Sequence, residues 1–407
     1  MSESAGDILR GVKVVEVAQW WFVPAAAALL AEWGADVIKV EDPARGDPMR
    51  GLQASIPHDR AQEVLTAQPN RGKRSIGLDL KSERGREILY RLVADADVFI
   101  TSYLPDVRSR LRIDVDDLRA VNSRLIYGRG TGQGVHGPDA ERGGYDSVSF
   151  WARGAIATSL TGPGTDTPIR MRGAMGDNLG GLALAGGVAA ALFARERTGK
   201  PRVVDVSLLA TAMWMQSQEI ALTSVNRSDV TQGGRLDTPN PLSNMYRTSD
   251  GRWIMLCMLQ PARFWAEFCH AIGRDDLVRD DRFATAELII RNAPAAIAEF
   301  DAVFAQRSAD DWRAALAAIT GVWSVIQGAR ELLDDPQVLA NGYLAGLAGD
   351  PADSPLRLVA SPTQFDEAPA VTFPPVPDIG SDTEQILLEL GYGWDDILVL
   401  KEAGATS

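Results

Sequence analysis

The chain has 407 residues, 54 acidic against 41 basic for a net charge of −13, with 45% hydrophobic and 23% charged residues. This is the composition of an ordinary globular protein, long enough for two domains or for one large domain carrying an insertion, and its acidity argues against general nucleic-acid binding while leaving room for a local arginine cluster that holds phosphates. Cys257 and Cys269 build no disulfide framework, His58, His136 and His270 are too scattered for a zinc cluster, and no basic-then-apolar segment opens the chain, so the expected location is cytoplasmic.

Gly11 to Val17 reads as a buried strand, Pro24 to Trp33 as a helix stopped by Gly34, and Asp36 to Glu41 as the next strand. Such a β-α-β unit implies a parallel sheet with a right-handed crossover. The Gly-x-Gly-x-x-Gly turn of a dinucleotide site is missing between strand and helix, which speaks against a nicotinamide-dependent reductase. Residues 42 to 70 read as a polar loop. Arg74 to Leu80 reads as a strand, Ser82 to Ala94 as a helix with Ser82 as N-cap, and Asp97 to Thr101 and Leu125 to Gly128 as further strands. The alternation predicts an α/β, doubly wound parallel sheet.

Residues 129 to 177 form a loop-heavy stretch of the kind that carries function. A helix is expected from Asn178 to Thr198, stopped by Gly199. Its apolar run, Leu179 to Phe193, is shorter than a bilayer and broken by glycines, so it reads as a buried helix with no membrane contact. Arg202 to Ser207 is a strand, Leu208 to Thr223 a helix, and 226 to 245 a linker. A smaller α+β region follows, with a strand at Trp253 to Leu259 and helices near 261–272, 283–305 and 308–318. Beyond 320 the chain is Pro- and Asp-rich and ends in a helix starting near Ser381.

Four groups of residues have side chains suited to chemistry. Asp177 stands in Gly176-Asp177-Asn178 directly before the apolar helix: either an N-cap carboxylate, or a nucleophile kept ionised by the helix N-terminus, with glycines that let a substrate approach. The basic set Arg71, Lys73, Arg74, Lys81, Arg108, Arg110 and Arg112 is either solvated surface or an anion site at the mouth of the sheet. Gly143-Gly144-Tyr145-Asp146 is a turn, or a place where Tyr145 and Asp146 hydrogen-bond a substrate. Trp20 and Trp21 either pack in the core or line the ligand crevice. No Gly-x-Ser-x-Gly marks a serine nucleophile.

Together these pieces resemble the family III CoA-transferases, the group of formyl-CoA, carnitine-CoA and bile-acid-CoA transferases. The resemblance rests on GADVIKVE (34–41) with Gly46-Asp47 and Arg50; on Asn70, Lys73-Arg74-Ser75 and Leu78-Asp79; on Asn122 with Leu125-Ile126-Tyr127; and on Gly132, Gly134 and Gly137-Pro138. It extends to Gly176-Asp177, Asp335-Pro336-Gln337 and Glu389-Leu390-Gly391-Tyr392.

The resemblance implies an interlocked homodimer. Its large α/β domain is built from both chain ends (1–225 and 321–407), with a small α+β domain at 226–320. It implies Asp177 as the acyl-accepting nucleophile with Tyr145 and Asp146 beside the acyl group. Trp21, Leu78, Asp79, Lys81, Arg110 and Gly144 are the implied CoA contacts, and Gly233-Gly234 a candidate oxyanion loop. It implies acyl-CoA and a carboxylic acid as substrates, with no permanent cofactor.

Trp21 stands where formyl-CoA transferases have glutamine, Val23 replaces the glycine before Pro24, and Asp42 stands where some relatives carry an arginine. With Trp20 and Trp151, these departures suggest a larger or more apolar acyl group. The rival within the fold, an α-methylacyl-CoA racemase, pairs the aspartate with histidine in Gly-His-Asp. Here the triplet is Gly144-Tyr145-Asp146, and tyrosine, which ordinarily titrates at about 10, is a poor base at neutral pH. A non-catalytic acyl-CoA-binding protein is the third reading.

Overall fold

In β1 (Lys13–Val17) Val14 faces one side of a sheet and Val15 and Val17 the other, as a side-chain period of two requires. The structure is a computed structural model describing residues 7–52, 61–162, 164–228, 233–351, 353–370 and 372–407. After β1 come α1 (Phe22–Glu32), β2 (Asp36–Glu41), α2 (Ala61–Asn70), β3 (Arg74–Gly77), α3 (Glu83–Ala94) and β4 (Val98–Thr101). Then follow α4 (Pro105–Leu111), α5 (Val115–Val121), β5 (Ile126–Thr131), α6 (Ile156–Leu160), α7 (Met175–Thr198), β6 (Val203–Ser207), α8 (Leu208–Met215) and α9 (Ser217–Asn226). Gly34, at φ 100°, ends α1, and the Ser82 hydroxyl accepts the Gly85 amide at 3.0 Å to start α3.

The six strands form one parallel sheet in the order β3-β2-β1-β4-β5-β6. Val15 is paired with Ile38 on one side and with Phe99 on the other, so strand order reverses between β1 and β4. In such sheets the crevice at the carboxyl ends of these two strands takes ligands. One face of the sheet packs on α1 and α7 through Val14, Ile100, Leu30, Leu184 and Val188. The other packs on α3 and α5 and on the helices Thr383–Glu389 and Trp394–Glu402, through Val15, Phe99, Ile88, Leu387 and Leu400.

The chain divides into two units: 1–160, 168–228 and 336–407, and 161–167 with 229–335. The return to the first unit therefore comes at Pro336 rather than at 321. The second unit carries an antiparallel sheet of β7 (Met245–Arg247), β8 (Trp253–Leu256) and β9 (Trp323–Val325). Its aromatic core joins Tyr246, Trp265, Phe268, Phe300, Phe304 and Trp312.

Several expectations change. The stretch 42–70, expected as a polar loop, holds a short 3₁₀ turn (Pro48–Gly51) and α2, a helix that carries Pro69 near its end. The 208–223 helix breaks at Gln216 into α8 and α9, and the 283–305 helix breaks at Asn292. α7 begins at Met175, not Asn178. At 24 residues it is long and apolar enough to cross a membrane by length and composition, yet its inner face, including Gly180, Gly181, Leu184 and Val188, is buried against α1 and the sheet.

Candidate active site

A cavity of about 880 Å³ opens at the carboxyl ends of β1, β4 and β5. Gln19 and Trp20 enter it from β1, Ser102 and Tyr103 from β4, and Gly130 to Gly132 from β5, with Asp177 in its wall. The Gln19 amide donates to the Ser102 hydroxyl at 3.0 Å, tying the two strands together where their order reverses. Leu78, Asp79, Lys81 and Arg86 line the cavity from the β3–α3 connection and Arg110 from the end of α4. Lys81, Arg86 and Arg110 have no ion-pair partner among the described residues; Arg86 Nη1 donates to the Leu80 and Lys81 carbonyls at 3.2 and 2.8 Å, and the charge of all three is left for an anion.

Asp177 occupies the third position of α7, inside its first turn. The N-cap residue is Ala174, which makes no side-chain cap, so the expectation that Asp177 is itself the cap is corrected. The cap is Asp146: both its carboxylate oxygens accept the Gly176 amide, at 3.1 and 3.2 Å. Asp146 opens a π-helical turn (Asp146–Ala152) and is buried. A Cβ on Gly176 would stand 2.4 Å from Asp146 Oδ1 and 2.3 Å from the Phe150 ring, so the close approach requires glycine.

Burial pushes the Asp146 carboxyl up to about 6, partly offset by the Asp177 and Gly176 amides. Burial first, and then the Asp146 charge, push Asp177 up to about 7. The expectation that the helix terminus keeps Asp177 fully ionised at neutral pH is corrected: desolvation and a neighbouring carboxylate outweigh the dipole. Replacing Asp146 by Asn keeps an acceptor oxygen for Gly176 and removes the like charge. Asp146→Asn is therefore expected to move the acid limb of a kcat/KM profile, which should lie near pH 7 in the wild type, to lower pH. An unmoved limb would mean that Asp146 does not set the titration of Asp177.

Beneath the cavity lies a buried ion network. Lys39 Nζ is 2.7 Å from Glu16 and 2.9 Å from Asp47, and Lys73 Nζ is 2.6 Å from the other Glu16 oxygen. Glu41 accepts Arg50 at 2.8 and 2.9 Å, the Ser75 hydroxyl at 2.8 Å and the Asp47 amide at 3.0 Å. Asp47 in turn accepts the Trp20 amide at 3.0 Å. Trp20 sits at φ 71°, the left-handed region that a bulky residue rarely enters, and its ring meets Tyr145 edge to face at 5.6 Å.

Seven of the nine expected site residues line this cavity: Leu78, Asp79, Lys81, Arg110, Gly144, Tyr145 and Asp177. Asp146 lies behind it as the cap. Trp21 is not in the wall; its indole donates to Asn178 at 2.7 Å, and Trp20 takes the wall position. Trp151 is buried and bonds the Ile169 carbonyl at 2.9 Å, so of the three tryptophans only Trp20 lines the cavity.

Of the seven basic candidates, Arg71, Lys73, Arg74 and Arg108 pair with Glu32, Glu16, Asp36 and Asp114, and the Arg112 carbonyl caps Tyr90. Gly233 and Gly234 belong to the second unit, where the Gly234 amide donates to Asp237 at 2.8 Å. His58 lies outside the described residues. Gln19, Ser102 and Arg86 are additional wall residues that sequence reading did not single out. Their signal is position alone, at strand ends and at a helix start.

The profile of CoA-transferase family III matches residues 9–383. The (R)-2-hydroxy-4-methylpentanoate CoA-transferase of Clostridioides difficile is 30% identical over 97% of this chain and 98% of its own length. The cinnamoyl-CoA:phenyllactate CoA-transferase of Clostridium sporogenes is 32% identical over 98% of this chain and 97% of its own. Among solved structures, a CAIB/BAIF family protein from Brucella suis superposes with a TM-score of 0.80 at 30% identity, covering 94% of this chain and 99% of that one.

Proposed function

The chain belongs to CoA-transferase family III, and from that premise we propose that it moves coenzyme A from an acyl-CoA donor to a carboxylic acid acceptor, with Asp177 as nucleophile. The observation that carries the reading is the placement of Asp177. Asp177 is in the wall of a cavity that also presents Lys81, Arg86 and Arg110, which have no carboxylate partner among the described residues, as a phosphate-bearing thioester needs. CoA enters and leaves as substrate, and the chemistry needs only carboxylates, a thioester and a thiolate.

In the proposed sequence an Asp177 oxygen attacks the thioester carbonyl, the C–S bond breaks, and CoA leaves as thiolate. The thiolate attacks the Asp177 carbonyl of the resulting anhydride, and the donor acid departs as carboxylate. The acceptor carboxylate then attacks the aspartyl-CoA thioester and expels the thiolate. Thiolate attack on the acceptor carbonyl of this second anhydride regenerates Asp177 and gives the new acyl-CoA. Charge and electrons balance at every step with no net proton transfer. The Gly176 and Asp177 amides are taken by Asp146, so backbone amides around Gly144 are the ones that would polarise the carbonyls. Tyr145, in place of histidine, disfavours the racemase reading, since Cα proton abstraction needs a base that titrates near neutrality. A homodimer is part of the proposal. It is supported by the exposed apolar surface of α8 and α9, where Met213, Trp214, Met215 and Val225 face solvent in the single chain.

The test is mass spectrometry of the protein after incubation with a panel of acyl-CoAs, with and without hydroxylamine. A hydroxylamine-sensitive adduct on Asp177, absent in Asp177→Ala, is the expected result. Exchange of the Cα proton with deuterated solvent and no adduct would favour the racemase. Binding with neither signal would leave an acyl-CoA-binding protein.

A further inference from the structure

We infer that Trp20 is the residue that sets acyl specificity, walling the Asp177 end of the cavity so that it takes monocarboxylic acids with an aromatic or branched apolar side chain and rejects short dicarboxylates. This rests on the proposed CoA chemistry of the same cavity and deepens it.

Three independent observations converge. The first is strain with a support. A tryptophan at φ 71° is in a strained backbone conformation, and such outliers persist only where the surroundings over-determine them. Here the surroundings are Asp47, itself buried, which accepts the Trp20 amide at 3.0 Å and the Met49 amide at 3.0 Å while ion-paired to Lys39 at 2.9 Å. The backbone geometry thus fixes where the indole goes.

The second is the wall itself. The Trp20 ring packs edge-on against Tyr145, the neighbour of the Asp146 cap, and both residues share the cavity wall with Asp177. Phe22 and Leu208 complete this side. Phe22 touches α7 one turn beyond Asp177: a Cβ at Gly180 would stand 2.6 Å from its ring, and one at Gly130 2.9 Å.

The third is charge. The cations of the wall come from elsewhere, Lys81 and Arg86 from the β3 edge and Arg110 from the end of α4. β3 lies four strand spacings from β5, about 19 Å at ~4.8 Å each, which sets Lys81 and Arg86 apart from the β5 side of the cavity. The second carboxylate of a short dicarboxylic acid bound at Asp177 would meet the Trp20, Tyr145 and Phe22 rings and the Asp146–Asp177 pair, while the wall cations among the described residues stand on the β3–α3 connection and at the end of α4.

Trp20→Gly tests this without endangering the fold, because glycine is at home at positive φ. Binding of CoA, 3-phenylpropanoyl-CoA and succinyl-CoA is measured by calorimetry in the full chain carrying Asp177→Asn, where no chemistry intervenes, with and without Trp20→Gly or Trp20→Phe. We expect 3-phenylpropanoyl-CoA to bind about tenfold or more tightly than succinyl-CoA. Trp20→Gly should erase that preference with CoA affinity changed less than twofold and the melting temperature retained, and Trp20→Phe should keep most of it. Equal or inverted affinities, or a preference that survives in folded Trp20→Gly, overturn the assignment while leaving the CoA site intact. Failure of CoA itself to bind overturns the assignment together with the proposed function.

Discussion

Asp177→Asn is expected to lower CoA transfer by on the order of 10⁴-fold or more, since the nucleophile is gone, and at the same time to raise the melting temperature above pH 7. The second half follows from where the carboxylate sits. Its ordinary value is 3.8, and burial together with Asp146 lifts it to about 7 in the folded chain. A carboxyl whose folded value lies above its unfolded one contributes stability that is fully present below about 4 and is lost as pH rises through about 7. At pH 8 the wild type therefore bears the whole penalty of a charged Asp177 beside Asp146, on the order of 2–4 kcal/mol, and the neutral amide does not. The gap between variant and wild type should open between pH 5 and pH 8. Thermal melts at both values check it. A variant that melts lower at pH 8 would mean that the carboxylate is stabilised in the free protein, against the burial described.

The Asp177 carboxylate is only half legible in the sequence. Gly176-Asp177 before an apolar run marks a helix start, and local reading makes the aspartate the cap. The true cap comes from Asp146, thirty residues earlier, and nothing in local spacing announces a cap supplied by another segment. Where the determinants are local, reading succeeded: β2 runs from Asp36 to Glu41 as expected, Ser82 caps α3 and Gly199 closes α7.

Two further helices, α4 and α5, carry local signals of their own. Pro105 sits in the first turn of α4, and Asp114 with Asp117 forms a capping box on α5. Wall residues were harder. Arg74 and Arg110 look alike in a sequence, and only the fold sets one against Asp36 and leaves the other facing the cavity. The tandem tryptophans divide for the same reason: opposite backbone angles send Trp20 to Tyr145 and Trp21 to Asn178.

The GADVIKVE segment and its companions carry the family resemblance in the sequence, and the fold gives them a structural role. Lys39 is fully buried in β2. Burial alone would strip its proton, but Glu16, Asp47 and Glu41 together outweigh it and hold its amine above the ordinary value. Burial pushes Lys73, beside it, down to about 8 despite Glu16. Among the described ion pairs Lys73 reaches Glu16, and Lys39 spans Glu16 and Asp47.

Lys39→Met preserves the volume and removes the one cation that touches both Glu16 and Asp47. Replacing a whole buried network by apolar side chains is often harmless, but removing a single partner leaves charge stranded, and the expected loss is about 3–5 kcal/mol in urea unfolding at pH 8. Asp47 would be left as a buried carboxylate without its cation. The deficit should therefore shrink as pH falls to 5 and protonation relieves it, the direction being that of any acid whose folded value exceeds its unfolded one. A deficit independent of pH would mean that lost packing, not stranded charge, is the cause. Because Asp47 also holds the Trp20 amide, the folded fraction of Lys39→Met should lose acyl discrimination along with stability. The buried charges beneath the sheet and the aromatic wall above it would then respond to one substitution, as the single hydrogen bond joining them requires.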